Sequence, residues 1–90
     1  MTDGSLQLIY MTGLPIETSG QTIVVPEALL CLSLHEGYST RLFLSKQLPK
    51  ALNWSAKIVL GRTWYTWSWQ GVPPTHRPAQ ILAQHLKALR

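Results

Sequence analysis

The sequence predicts an α+β fold in which an antiparallel β-meander of about five strands is covered by a C-terminal helix. Short segments alternate apolar and polar residues, which is the period of a strand with one buried face, and turn residues separate them. Only the last segment repeats apolar residues with helical spacing. A chain of 90 residues has room for one hydrophobic core, so we expect a single domain over residues 1–90.

The first half of the chain contains three predicted strands. Residues 6–11 and 22–25 are β-prone and are separated by turn residues at 18–20. Pro26 is expected to end the second strand or to mark an edge, because proline cannot donate to a sheet ladder. Residues 28–35 alternate leucine with smaller or polar residues, which predicts the third strand.

The second half is predicted to continue the meander. After a turn at 36–37, residues 41–45 form the next strand. Residues 57–60 and 63–70 are then expected to pair as a hairpin on a two-residue turn at 61–62, with glycine first, as a type II′ turn prefers.

The aromatic segment 63–70 is the feature around which the fold is predicted to form, because it holds three of the four tryptophans. In a strand, Tyr65, Trp67 and Trp69 share one face and Trp64 lies on the other. Each aromatic side chain buries about 150–250 Å². We expect the row of three to form the core beneath the helix; the alternative is a platform on which nucleic-acid bases stack.

Residues 78–90 are predicted to form the covering helix, since proline suits the first helical turn. We expect His85 to be a core histidine hydrogen-bonded to a backbone or indole group. The face toward the sheet would carry Ile81, Leu82, His85, Leu86 and Leu89.

Charge is distributed unevenly along the chain, which carries a net +4. All four acidic residues precede position 37 and all eight basic residues follow it. If the halves occupied separate surfaces, the second half would attract an acidic partner. The alternative is that the halves interleave in one sheet and neutralise each other.

The sequence indicates a cytoplasmic protein. One cysteine cannot form an internal disulfide. The N-terminus has no signal-peptide pattern, and no apolar segment approaches the ~20 residues that span a bilayer.

Few residues suggest a catalytic role, and no metal site or cofactor motif is expected. Cys31 and His35 lie four positions apart on one predicted strand, about 13 Å, which is too far to share a zinc ion. We expect Cys31 to be a small buried hydrophobe; a thioester-forming nucleophile is the less favoured alternative. His76 is the histidine best placed for acid or base chemistry, but no acidic residue follows it.

Several segments occur in an order that is informative when they are taken together. They are Pro26-Glu27, the run Leu-Cys-Leu-Ser-Leu-His-Glu-Gly-Tyr at 30–38, Leu-Phe-Leu at 42–44, Gly-Arg-Thr-Trp at 61–64, Trp-Ser-Trp at 67–69, and Arg77-Pro78 before the last helix. In this order they resemble bacterial ubiquitin-conjugating-enzyme-like (UBC-like) proteins, the prokaryotic E2 family. The resemblance covers roughly positions 14–90.

The resemblance implies a trimmed UBC-like domain without thioester chemistry. UBC-like domains carry the conjugating cysteine after the meander, whereas positions 46–90 here contain no cysteine, and a His-Pro-Asn signature is also missing. What remains is a non-catalytic interaction module of a bacterial ubiquitin-like conjugation system, linked to phage defence. Its partner would be a ubiquitin-like protein or its activating enzyme.

The residues expected to bind a partner are Trp54, Arg62, Trp64, His76 and Arg77. The alternative function is a small basic sheet protein that binds single-stranded nucleic acid through the Trp-rich strand. An uncovered sheet edge would also allow the chain to form a homodimer.

Overall fold

A computed structural model describes residues 2–4, 6–50, 52–69 and 71–90 of the chain. All strand pairs are antiparallel, and one helix follows the strands, which confirms the predicted α+β class. The elements are β1 (Thr2–Asp3), β2 (Leu6–Thr18), β3 (Gln21–Cys31), β4 (Arg41–Leu44), β5 (Trp54–Val59), β6 (Arg62–Trp67) and α1 (Pro78–Lys87).

The strands form one sheet in the order β1-β2-β3-β4-β6-β5. β1 to β4 follow one another as a meander, but the last hairpin is reversed, so that β6 lies beside β4 and β5 forms the edge. β6 buries Trp64, Thr66 and Trp67, whereas β5 exposes Ala56 and Ile58. The more buried strand therefore takes the interior position, and the strand with an exposed face takes the edge.

Three two-residue turns share one geometry, with a positive φ at both positions and glycine second. This is the type I′ turn, whose twist matches that of paired strands. The prediction of a type II′ turn at 61–62 is wrong by one residue. The turn lies at 60–61, because Val59 pairs with Arg62. The turns and their φ values are Ser19-Gly20 (50° and 78°), Glu36-Gly37 (50° and 88°) and Leu60-Gly61 (53° and 72°).

The β2–β3 hairpin continues through Pro26, where the sequence predicted a strand end or an edge; β3 instead runs on and pairs with β4. Pro26 lies opposite Gly13, which has φ +59°, and these two residues form no ladder pair, so the missing N–H of proline breaks no bond. Along β2, the alternation of residues that face the helix and residues that face away from it shifts by one residue at Gly13. Met11 packs against the core before it, and Leu14 and Ile16 do so after it.

The sheet has a hydrophobic core on each face. The helix-side core joins α1 to the sheet, and the open-face core lies on the face without a helix. The buried members of the helix-side core are Ile16, Val25, Ala28, Leu30, Leu42, Leu44, Leu48, Trp67, Val72, Ile81, Ala88 and Leu89. The buried members of the open-face core are Leu8, Leu29, Cys31, Phe43, Val59 and Trp64.

The aromatic segment contributes to both cores, which differs from the single row predicted. Trp67 is 2% exposed in the helix-side core, and Trp64 is 1% exposed in the open-face core. Tyr65 is only half-buried, and Trp69 is 37% exposed because β6 ends at Trp67. Among the described residues, the helix is too short and polar to span a membrane.

Trp67→Ala should lower the free energy of unfolding by about 3–5 kcal/mol, because it removes a fully buried ring. Trp69→Ala is the matched control and should cost less than about 1 kcal/mol, since its ring is largely outside the packed core. Chemical denaturation of both variants followed by circular dichroism would test this. Equal losses would mean that Trp67 does not anchor the core.

Candidate functional site

The residues expected to bind a partner lie at three separate places. Trp54 is half-buried against Trp67 on the helix side, with ring centroids 5.4 Å apart. Arg62 and Trp64 contribute to the opposite face. The remaining two, His76 and Arg77, are exposed in the segment that precedes α1.

On the open face, Arg62 and Glu27 form a two-pronged ion pair. Both nitrogen-to-oxygen distances are 2.8 Å, and the Tyr10 hydroxyl donates to the same carboxylate at 2.6 Å. The Arg62 guanidinium also lies 4.7 Å from the centroid of the Trp64 ring. Hydrogen bonds from Arg62 and Tyr10 lower the pKa of Glu27 to about 2, and the bond to Glu27 raises the pKa of Tyr10.

These contacts favour interleaved charges over two separate charged surfaces. Glu36 and Lys57 form a second ion pair, at 2.6 Å. Each pair joins an acidic residue from the first half of the chain to a basic residue from the second. Both pairs are solvent-accessible, so each contributes little to stability.

Arg41 is a buried cation that sequence analysis did not single out. Its side chain is held by neutral groups: Nε donates to Thr66 Oγ1 at 3.2 Å, and Nη1 donates to His35 Nδ1 at 3.1 Å. The guanidinium lies 4.2 Å from the centroid of the Tyr38 ring. Burial lowers the pKa of both Arg41 and His35. Arg41 thus ties the 32–40 loop to the sheet and lies next to Cys31, its cross-strand pair.

Cys31 is fully buried, as predicted for a small hydrophobe. Its thiol donates to the Ser33 carbonyl at 3.2 Å and packs in the open-face core. The strand ends at Cys31, so His35 belongs to the following loop rather than to the same strand. A nucleophile at this position would need the core to open before a substrate could reach it.

His85 is a core histidine, as expected, but its hydrogen-bond partner is a hydroxyl group. Thr40 Oγ1 donates its only proton to the Val72 carbonyl at 2.8 Å, so it accepts from His85 Nε2 at 2.9 Å. The ring also makes an edge contact with Trp67, centroid to centroid 6.4 Å. Burial, assisted by the charge of Arg41, lowers the pKa of His85 to about 4.

A chain of contacts connects Trp54 and Lys50 to the basic residues that follow and end α1. Trp54 Nε1 donates to the Lys50 carbonyl at 2.8 Å, and Lys50 Nζ donates to the Arg90 carbonyl. The Arg90 N–H in turn lies 3.4 Å from the Lys87 carbonyl. We define Lys50, Trp54, Lys87 and Arg90 as the basic corner. None of its three cations belongs to either ion pair seen between described residues.

The described surface includes the following clefts. One, of about 350 Å³, lies between the tip of the β2–β3 hairpin and the basic corner and is lined by Glu17, Thr18, Gly20, Gln21, Thr22 and Arg90. Another, of about 140 Å³, is lined by Gly37, Tyr38, Ser39, Thr40, Trp69, Gly71 and Val72. Nowhere in the described ranges do three His, Cys, Asp or Glu side chains group as metal ligands would.

Comparison with known proteins leaves the family open: no protein-family model, curated protein or solved structure matches this chain. The UBC-like resemblance therefore stays a hypothesis.

The buried His85 predicts a loss of stability in mild acid. Its pKa is about 4 in the folded chain against 6.5 for the free side chain, so the unfolded state binds the proton more readily. The free energy of unfolding is therefore highest above pH 6.5. It falls by about 3 kcal/mol as the pH drops toward 4.

Denaturation between pH 4 and 8 would measure this dependence, since these limits bracket the folded and free pKa of His85. His85→Gln retains a donor for Thr40 but cannot be protonated, so the slope between pH 4 and 6.5 should flatten. An unchanged slope in the variant would assign the titration to other groups.

Proposed function

We propose that this chain is a non-catalytic interaction module that binds an acidic protein surface through the basic corner. The observation that carries the proposal is the contact chain from Trp54 through Lys50 to Arg90, which connects an indole to a basic part of the surface. Arginine, lysine and tryptophan at one place suit an acidic partner with an apolar spot.

The UBC-like resemblance of positions 14–90 supplies the class of partner. We infer a ubiquitin-like protein, or the enzyme that activates it, in a bacterial conjugation system linked to phage defence. Such a system acts in the cytoplasm. The burial of Cys31 supports a role in binding rather than in thioester transfer.

Nucleic acid is less well supported as the partner. A sheet that stacks bases presents aromatic rings to solvent, whereas Trp64 and Trp67 are buried in the two cores. Only the half-buried Trp54 accompanies the cations of the basic corner.

Charge balance also favours the basic corner over other surfaces. Of the eight basic residues, Arg62 and Lys57 are neutralised by ion pairs and Arg41 is buried. The excess positive charge therefore remains on the 46–50 segment and on α1 with its flanking residues. Arg77 precedes the helix and Lys87 is in its last turn, about 15 Å away along the helix axis.

A titration monitored by NMR would test the proposal. The ¹⁵N-labelled chain receives a ubiquitin-like protein of a bacterial conjugation system, or an oligothymidine of about 12 nucleotides. We expect the protein to shift the Trp54 indole N–H and the Lys87 amide. Lys87→Glu should weaken binding at least about tenfold, because it reverses a charge at the contact.

Arg77→Glu is the matched control, since it makes the same charge reversal at the opposite end of the helix and should leave the affinity within about twofold. Binding of the oligothymidine with steep salt dependence, and not of the protein, would replace the proposal with the nucleic-acid function. No binding of either probe would overturn it.

Cys31→Ala tests the absence of thioester chemistry. We expect unchanged affinity for the ubiquitin-like protein, because the thiol is enclosed in the open-face core, with a stability loss of about 1 kcal/mol. Incubation with an activating enzyme and its ubiquitin-like protein should give no reducible adduct on the wild-type chain. An adduct that disappears in Cys31→Ala would make the protein an enzyme.

A further inference from the structure

The outer edge of β5 carries backbone groups that no other strand of the described sheet pairs with. In a hairpin closed by Val59 and Arg62, alternate residues of β5 bond to β6. The intervening ones, Trp54, Ala56 and Ile58, direct their N–H and C=O groups outward. Consistent with this, the Trp54 N–H donates to the Leu52 carbonyl at 2.8 Å rather than to β6.

The same three residues present an apolar surface beside that edge. Their side chains share the helix-side face of the sheet, where α1 does not reach Ile58, which is 71% exposed. Lysine commonly protects an exposed edge. Lys57, however, points to the opposite face and is held there by Glu36, so it does not shield the apolar surface.

We propose that β5 pairs with β5 of a second copy of this chain, in an antiparallel register that places Ala56 opposite Ala56. A twofold axis perpendicular to the sheet keeps the faces aligned, so residues pair only with residues of the same face. This register sets Trp54 against Ile58 of the second copy, twice, and Lys57 against Ser55. The exposed isoleucine is thereby buried on an aromatic ring.

Hydrogen bonding and charge select this register over the next one. The Ala56 pair exchanges two hydrogen bonds, and each Ile58 N–H can donate to the Trp54 carbonyl of the other copy, giving about four bonds. Shifting the axis to Lys57 would set two lysines directly opposite each other, which is destabilising.

The contact joins six-residue strands, each about 20 Å long, and so belongs with the small interfaces. We therefore expect a dimer that dissociates on dilution rather than an obligate one. The dimer contact and the basic corner share Trp54, but Ile58 belongs only to the first and Lys87 only to the second, so variants of these two residues test the two proposals separately.

Sedimentation velocity over a concentration series, combined with amide hydrogen exchange, would test the pairing. We expect a concentration-dependent dimer in which the amides of Ala56 and Ile58 become protected as the concentration rises. The amides of Ser55 and Lys57 already bond to β6 and should not change.

Ile58→Lys should weaken the dimer at least about tenfold, because it places two charges where two apolar side chains were buried. Val24→Lys is the matched control: Val24 is 57% exposed on β3, far from the β5 edge in the strand order, and the change should leave dimerisation unaffected. A monomer at all concentrations would overturn the proposal. So would a dimer that survives Ile58→Lys or leaves the two amides unprotected, since it would use another surface.

Discussion

The burial of two tryptophans on opposite faces of β6 is the constraint on which the rest of the fold depends. Trp64 and Trp67 are three positions apart, so a strand directs them to different sides. Each ring needs its own apolar surroundings, and the sheet must therefore have two cores. Trp67 obtains them from α1 and the rest of the helix-side core. Trp64 obtains them from the open-face core without a helix; Arg62 lies over its ring, and its indole N–H donates to the Val59 carbonyl at 3.0 Å.

The placement of the polar groups follows from the presence of a core on each face of the sheet. On the open face, a cation covers an aromatic ring in two places, Arg62 over Trp64 and Arg41 over Tyr38. On the helix side, His85 is a buried titratable group, a neutral imidazole with Thr40 as its partner. Arg41, Lys57 and Arg62 are thus engaged within the fold, whereas Lys46, Arg77 and the cations of the basic corner belong to neither ion pair seen between described residues.

The sequence was informative wherever local pattern decides structure. The α+β class, the C-terminal helix and the buried states of Cys31 and His85 follow from periodicity and residue type. The reversed order of β5 and β6 could not be predicted, because strand order depends on which strand can be buried on both sides. The change of face at Gly13 in β2 could not be predicted either. A positive φ turns the later residues to the other face of the sheet, and the order of apolar and polar residues in the sequence does not reveal it.

The candidate site was harder to predict than the fold. Trp54, Lys50 and Arg90 are brought together only by packing between the 46–53 segment and the end of α1. Nothing in their spacing indicates proximity. Arg41 was likewise missed, because a basic residue at the start of a strand usually faces solvent, whereas the 32–40 loop and Thr66 of β6 enclose this one.

The composition of the helix-side core also constrains how the chain can fold as it is made. This core joins Ile16 in β2 to Leu89, which lies just beyond α1 and far from Ile16 along the chain. The two hairpins need only neighbouring residues and can form early, but one face of their sheet stays uncovered until α1 is complete. The nascent sheet therefore carries an exposed apolar face until α1 has been made. Assistance by a chaperone during translation would be of most use just before α1 emerges.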